Sequence, residues 1–181
     1  MSLQIISNFI VSNYKNISKN IKLVNVPKNH SQSHNKLNDI FFISDKIKNE
    51  IKKLLFSKTI TYQYKSNKIT ITIYDYNDNN DSKNLLFLKK IATVFFIFAN
   101  LKDNNLKHLK TTLYLTNNEK KLNDNKDSIG VDEVNSGCSI FRNINDIGEI
   151  FIWRKEEIFK VFIHELIHSL EFDFKDYPEN L

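Results

Sequence analysis

The chain has 181 residues, and its 41% hydrophobic and 26% charged content is typical of a globular protein with a sizeable core, which excludes a disordered or fibrous chain. The formal charge of +5 comes almost entirely from lysine, and acidic residues are interspersed with the lysines, so we expect generic polyanion affinity but no specific nucleic-acid binding. The single cysteine, Cys138, excludes an intrachain disulfide and fits a reducing compartment.

The N-terminal part of the sequence mixes short apolar patches with polar residues. A short helix is predicted over residues 4–11 and a strand over 21–26, and both precede a polar loop that carries His30 and His34. No apolar periodicity surrounds these two histidines, so they are interpreted as solvated loop residues. The start of the chain lacks a basic region and a small-residue cleavage site, which predicts an intracellular, cytoplasmic protein without a signal peptide.

The middle of the chain contains the clearest periodic patterns. Ser44 is a predicted N-cap for a helix over residues 45–56. The strictly alternating stretches 59–64 and 69–74 predict two strands of a β-hairpin. A long helix is predicted over 83–100, and its dense apolar content indicates a position at the centre of the core.

Further along the chain, a strand is predicted over residues 111–116, followed by a polar loop over 117–130. Another strand over 149–153 leads into the last helix. Glu156 and Glu157 are expected in the first turn of this helix, where negative charge complements the helix dipole.

Together these elements predict an α+β fold, in which a mixed β-sheet packs against helices. We expect a single domain overall, with an N-terminal segment over residues 1–40 that is partly loop and a main domain over residues 41–181. The most apolar run, residues 91–101, is too short to span a bilayer, so no membrane partner is expected. The sequence does not predict an oligomeric state.

The last predicted helix carries the pattern H-E-x-x-H, formed by His164, Glu165 and His168. Histidines four residues apart lie on one face of a helix, where two imidazoles can bind one Zn²⁺ together. Glu165 lies beside this face, where a general base must lie to take a proton from a metal-bound water. The alternative is an ordinary core helix with two hydrogen-bonded histidines.

The uncharged residues that flank this motif, from Val161 to Leu170, make it similar to the extended signature of zincin metallopeptidases. The resemblance implies a zincin-like upper subdomain with the motif on its final helix, and a C-terminal subdomain that is minimal or missing. It also implies a Zn²⁺ cofactor, a peptide or protein substrate, and hydrolysis by a zinc-bound water with Glu165 as general base. Residues 110–175 further resemble a group of uncharacterised zincin-like proteins of large DNA viruses.

The third metal ligand does not follow the zincin patterns. One class places a His or Asp six residues after the second histidine, following a Gly, but here Phe174 and Glu171 occupy these positions. A second class uses a Glu on a later helix, and the sequence after His168 is too short for one. We therefore expect Asp173 to be the third ligand, with Glu171 as the next candidate. The alternative is that neither binds, because the ligand lay in sequence that this chain lacks.

Residues near the motif in the predicted fold are candidates for substrate binding. In zincins an edge strand pairs with an extended peptide. Either the strand over 111–116 or the segment Asn135, Ser136 and Gly137 is expected to line the cleft, with Gly137 allowing close backbone approach. The alternative for this segment is a turn that needs these residue types for its dihedral angles.

Glu157 and Cys138 also lie near the motif in the predicted fold and are further candidates for the site. Glu157 is either part of an ion-paired helix entry or a hydrogen-bond partner of a metal ligand. Cys138 is interpreted as a small buried hydrophobic residue rather than a ligand. An alternative function for the whole chain is that of a truncated or non-catalytic zincin-like protein with a structural or interaction role.

Overall fold

The computed structural model describes residues 3–25, 43–77, 82–101, 106–120, 135–140 and 147–170. Over these residues the protein is α+β, with four α-helices and a mixed six-stranded sheet. The helices are α1 Leu3–Asn20, α2 Asp45–Ile51, α3 Ser82–Leu101 and α4 Ile158–Ser169. The strands are β1 Lys22–Asn25, β2 Phe56–Tyr64, β3 Asn67–Asp75, β4 His108–Tyr114, β5 Gly137–Ile140 and β6 Ile147–Ile152.

The strand order across the sheet is β1-β2-β3-β4-β6-β5. Strands β1, β2 and β3 are antiparallel neighbours, β3, β4 and β6 are parallel, and β5 runs antiparallel to β6. The predicted hairpin is confirmed: Tyr64 pairs with Asn67 across a two-residue turn, in which Lys65 adopts a left-handed conformation (φ 52°). The strand predicted over 111–116 is β4, which lies in the interior of the sheet and therefore cannot be an edge strand.

Two apolar clusters cover the two faces of the sheet. The larger cluster joins one face to α1, α3 and α4, and α3 contributes most of its helical residues, as its dense apolar content predicted. Fully burying one large apolar side chain contributes roughly 1.5–3 kcal/mol, so α3 is a main source of stability. The smaller cluster packs α2 against the other face, around Tyr74, Tyr114, Phe151 and Trp153.

The N-terminal residues belong to this same packed unit. Ile17 of α1 is buried in the larger cluster, and β1 pairs with β2. Helix α1 is also much longer than the predicted 4–11, because its C-terminal half packs against α3. Among the described residues, no helix is long and apolar enough to cross a membrane.

Helix α2 begins as predicted, with the Ser44 hydroxyl accepting from the N–H of Ile47 at 3.3 Å. It ends at Ile51 rather than at residue 56, since Phe56 is already paired with Asp75 as the first residue of β2. The backbone groups that Phe56 uses in the hairpin cannot also form helical hydrogen bonds, so the helix must end before β2 begins.

Candidate metal centre

Strand β6 leads directly into the helix that carries the H-E-x-x-H motif. After β6 the chain forms a 3₁₀ turn over Lys155–Glu157 and then α4. The sequence predicted Glu156 and Glu157 in the first turn of this helix. Both residues instead precede it, in the 3₁₀ turn. Buried positions recur along α4 every three or four residues, and Phe162 and Leu166 pack into the larger cluster.

His164 and His168 converge on one another on the side of α4 away from this cluster. Their Nε2 atoms are 3.1 Å apart, and the two rings are nearly perpendicular, at 83°. Two nitrogens bound to one zinc at ~2.0–2.1 Å in near-tetrahedral geometry lie roughly 3.1–3.4 Å apart. The observed separation therefore fits a shared metal. It also permits one neutral imidazole to donate an N–H to the other.

Glu165 is buried next to this pair, with a relative exposure of 8%. In the described part of the chain its carboxylate accepts no hydrogen bond. Its side chain lines the same cavity as His164, so it is available to a ligand or a water there.

This cavity has a volume of about 450 Å³ and lies between α4 and the start of β5. One wall consists of α4 residues, including His164 and Glu165, and the opposite wall consists of residues 135–137. The structure thus brings the three predicted substrate-binding residues to the same cavity as His164 and Glu165. Within the described residues β5 is at the edge of the sheet, as a substrate-pairing strand must be.

Gly137 occupies the point where β5 and α4 approach most closely. A Cβ atom at this position would lie 2.5 Å from Cγ1 of Val161 and 2.9 Å from the carbonyl oxygen of Phe151. Only glycine fits without displacing the helix or the strand, so close approach is the reason for this glycine. Since Gly137 lies in a strand, the alternative of a turn glycine is wrong at this position.

Asn135 and Ser136 are held by the residues that follow β6. The carbonyl of Asn135 accepts from Nε1 of Trp153 at 3.1 Å and from Nε of Arg154 at 3.2 Å. The Ser136 carbonyl accepts from the N–H of Trp153 at 3.0 Å. Because paired and unpaired residues alternate in an antiparallel ladder, the N–H and C=O of Gly137 point to the open edge.

The cavity has a polar end around Glu157. One carboxylate oxygen of Glu157 accepts from the Ser136 hydroxyl, and the other lies 4.0 Å from Nζ of Lys120 and 3.8 Å from Nζ of Lys160. The contacts of Glu157 thus join β5 to the start of the helix and do not include either imidazole. The described contacts of Glu157 form an ion-paired helix entry with Lys120 and Lys160, whereas its interpretation as the partner of a metal ligand stays a prediction.

Lys120 and Lys160 are cavity residues that the sequence did not indicate. Lys160 has the helical spacing i, i+3 from Glu157, which is a local signal for an ion pair. Lys120 comes from the segment after β4, and its backbone N–H donates to Glu156 at 3.0 Å. No local pattern predicts a contact over 36 residues of sequence.

Cys138 faces the smaller apolar cluster and not the motif helix. Burial, with a further contribution from the negative charge of Glu165, raises the pKa of its thiol to about 12. Its packing supports the interpretation of Cys138 as a small, partly buried hydrophobic residue.

Among the residues that the structure describes, no group of three or more His, Cys, Asp or Glu side chains is arranged to bind a metal. Both predicted candidates, Asp173 and Glu171, lie outside the described residues, as do His30 and His34. Comparison with protein-family models, with curated proteins and with solved structures found no match.

Proposed function

We propose that this chain is a zinc-dependent metallopeptidase-like hydrolase with a zincin-like arrangement of sheet, edge strand and motif helix. The observation that carries the proposal is the convergence of the His164 and His168 Nε2 atoms at 3.1 Å, with His164 and Glu165 lining the same cavity. A metal would bind between the two nitrogens, with Asp173 as the proposed third ligand and Glu171 as the next candidate.

The residues of the site have separate roles in this proposal. When bound, zinc would act as a Lewis acid that polarises a peptide carbonyl and acidifies a water molecule. Glu165 would take a proton from water at the cavity wall and pass it to the leaving amine. Its burial suits this role, because a carboxylate without other partners is free to orient the attacking water.

The edge strand would position the substrate. The outward N–H and C=O of Gly137 are available to an extended peptide, which would add to the sheet as a further strand. Asn135 and Ser136 contribute indirectly, since their carbonyls and the Ser136 hydroxyl hold the start of β5 against Trp153, Arg154 and Glu157.

Metal analysis of the purified protein tests the proposal. We expect about one zinc per chain in the wild type, and loss of zinc in His164→Ala and in His168→Ala. His108→Gln is the matched control, because His108 lies on β4 outside the site and its replacement should leave zinc bound. Absence of zinc from the wild type, or equal zinc in all four proteins, would overturn the proposal.

The same approach identifies the third ligand. If Asp173 is the ligand, zinc affinity will fall in Asp173→Ala and stay near the wild-type value in Glu171→Ala. The reverse result would assign Glu171. Retention of tight binding in both variants would exclude both residues.

A second candidate function is that of a zincin-like structural or interaction protein without catalysis. It is favoured by the fact that 3.1 Å also suits a direct hydrogen bond between the two imidazoles. This candidate predicts no cleavage of a diverse peptide mixture by the zinc-supplemented wild type. Cleavage that disappears in His168→Ala would exclude it.

A further inference from the structure

Exposed lysines gather at the end of the sheet where β3 and β4 begin. Across this end, Lys22 of β1 lies opposite Gln63, Gln63 lies opposite Lys68, and Lys68 lies opposite His108. Cross-strand partners project from the same face of a sheet, so Lys22, Lys68 and His108 form one row. Lys110 lies two residues after His108 and therefore projects from the same face.

Two more exposed lysines come from the connections at this end. Lys65 is in the turn between β2 and β3, where its carbonyl accepts from the Gln63 side chain at 3.1 Å. Lys107 immediately precedes β4, and its carbonyl accepts from the N–H of Lys68 at 2.8 Å. We call these five residues the lysine end: Lys22, Lys65, Lys68, Lys107 and Lys110 are all exposed.

Among the described residues, several carboxylates lie at the opposite end of the sheet. Asp75 ends β3, Glu119 follows β4, and Glu156 and Glu157 follow β6. At the lysine end the described carboxylate that comes nearest in register is Glu149, opposite Lys110. In the described part of the chain, none of the five lysines forms an ion pair. The fold thus brings five lysines that are scattered in the sequence to one end of the sheet.

His108 lies within the electrostatic field of two of these lysines. Burial lowers the pKa of its imidazole, and the charges of Lys110 and Lys68 lower it further. The imidazole also makes a 2.9 Å hydrogen bond with Thr70, whose hydroxyl is 2.9 Å from that of Thr61. This part of the face is thus polar and cationic.

The spacing of the lysines suits a chain of phosphates. Neighbouring strands are ~4.8 Å apart, which places Lys22 and Lys68 roughly 10 Å apart and Lys68 and Lys110 roughly 8 Å apart. Phosphates of one DNA strand follow one another every ~3.4 Å of helix axis, so these separations span roughly two to three phosphates, within reach of flexible lysine side chains. Hydroxyl and amide groups such as those of Thr70 and Gln63 are common phosphate donors.

We propose that the lysine end binds the phosphate backbone of a nucleic-acid duplex without reading its base sequence. Lysine attracts phosphate as a point charge. Sequence-independent binding of this kind needs neither bidentate arginine contacts nor a helix inserted into a groove. The proposal agrees with the expectation of no specific nucleic-acid binding and does not depend on the hydrolase proposal. The cavity lies beyond the ends of β4 and β6, at the other end of these strands, so a bound duplex would leave it open.

Binding of a fluorescent duplex of mixed sequence, measured by anisotropy at several salt concentrations, tests this proposal. The test variant replaces Lys22, Lys68 and Lys110 with Gln. The matched control replaces Lys46, Lys52 and Lys155 with Gln, which removes the same net charge from exposed positions at the other end. Circular dichroism confirms that both variants are folded.

We expect the test variant to lose roughly tenfold or more in affinity at low salt, and its slope of log affinity against log salt to fall by about 3. The control should stay close to the wild type, and a second duplex of different sequence should bind equally. Equal losses in the two triple variants, or no duplex binding by the wild type at low salt, would overturn the proposal. So would lysine-dependent binding to phosphatidylserine vesicles or polyglutamate in the absence of duplex binding.

Discussion

The hydroxyl of Ser136 donates a hydrogen bond to the carboxylate of Glu157 and so joins the start of the edge strand to the turn that begins the motif helix. Ser136 is buried, with 4% exposure, and Glu157 also contacts two lysines. This contact sets one end of the cavity in which His164 and Glu165 lie. The geometry of the candidate site therefore depends on a polar contact that involves neither histidine.

Ser136→Ala should lower the free energy of unfolding by about 1–3 kcal/mol, because a buried hydrogen bond to a charged group is lost. Ser139→Ala, on the same strand and only partly buried, is the control and should change stability much less. Urea denaturation of the two variants measures the difference. Equal stability of Ser136→Ala and the wild type would mean that the contact contributes nothing in solution.

Gly137→Ala should destabilise the protein by about 1–3 kcal/mol, since the new methyl group overlaps Val161 and the Phe151 carbonyl. Gly148→Ala is a matched control, because its Cβ would approach only leucine side chains, at 3.3 Å. Thermal unfolding compares the two. Adding Val161→Ala should restore part of the lost stability, and no restoration would argue against this contact as the cause.

Glu165→Gln should retain zinc and lose hydrolysis by roughly 10²–10⁴-fold, the usual contribution of a general base. Without zinc, the variant should unfold at about the same urea concentration as the wild type, because the Glu165 carboxylate makes no hydrogen bond within the described residues that the amide would lose. Metal analysis, peptide cleavage and urea denaturation check the three expectations. Loss of zinc from this variant would instead identify Glu165 as a ligand or a structural residue.

His108 should make stability depend on pH. Burial, together with Lys110 and Lys68, lowers its folded-state pKa below the unfolded value of about 6.5, so the unfolded chain takes up a proton first as the pH falls. The stabilisation is complete above about pH 6.5 and is lost as the pH falls through that value towards the folded pKa.

Urea denaturation at pH 8 and pH 5.5 measures this effect. We expect the loss of stability between the two pH values to be smaller in His108→Gln than in the wild type. The other titrating groups are common to both proteins and cancel in the comparison. An equal loss in both proteins would show that His108 has the same proton affinity in the folded and unfolded chains.

Local periodicity was sufficient to predict several parts of the fold. The alternation over 59–64 and 69–74 predicted the hairpin, and the dense apolar pattern over 83–100 predicted a central helix. The spacing of His164 and His168 predicted that their side chains meet. Each of these features depends on residues close in sequence, whose geometry is set by the helical or strand repeat itself.

Other features depend on contacts between distant residues, and only the tertiary structure decided them. The sequence left open whether β4 or the segment at Gly137 forms the sheet edge, because an interior and an edge strand have similar local patterns. The end of α2 was misplaced because the pairing of Phe56 with Asp75 overrides a continuous apolar pattern.

The sequence by itself therefore determined the α+β class and the histidine pair on the last helix, since both follow from short-range repeats. The tertiary structure decided that Ser136 contacts Glu157, that the close approach of Val161 requires glycine at position 137, and that five exposed lysines lie together at one end of the sheet. These relations depend on the order in which the strands pair. Strand order is set by burial and hydrogen bonding across the whole chain and not by any single stretch of it.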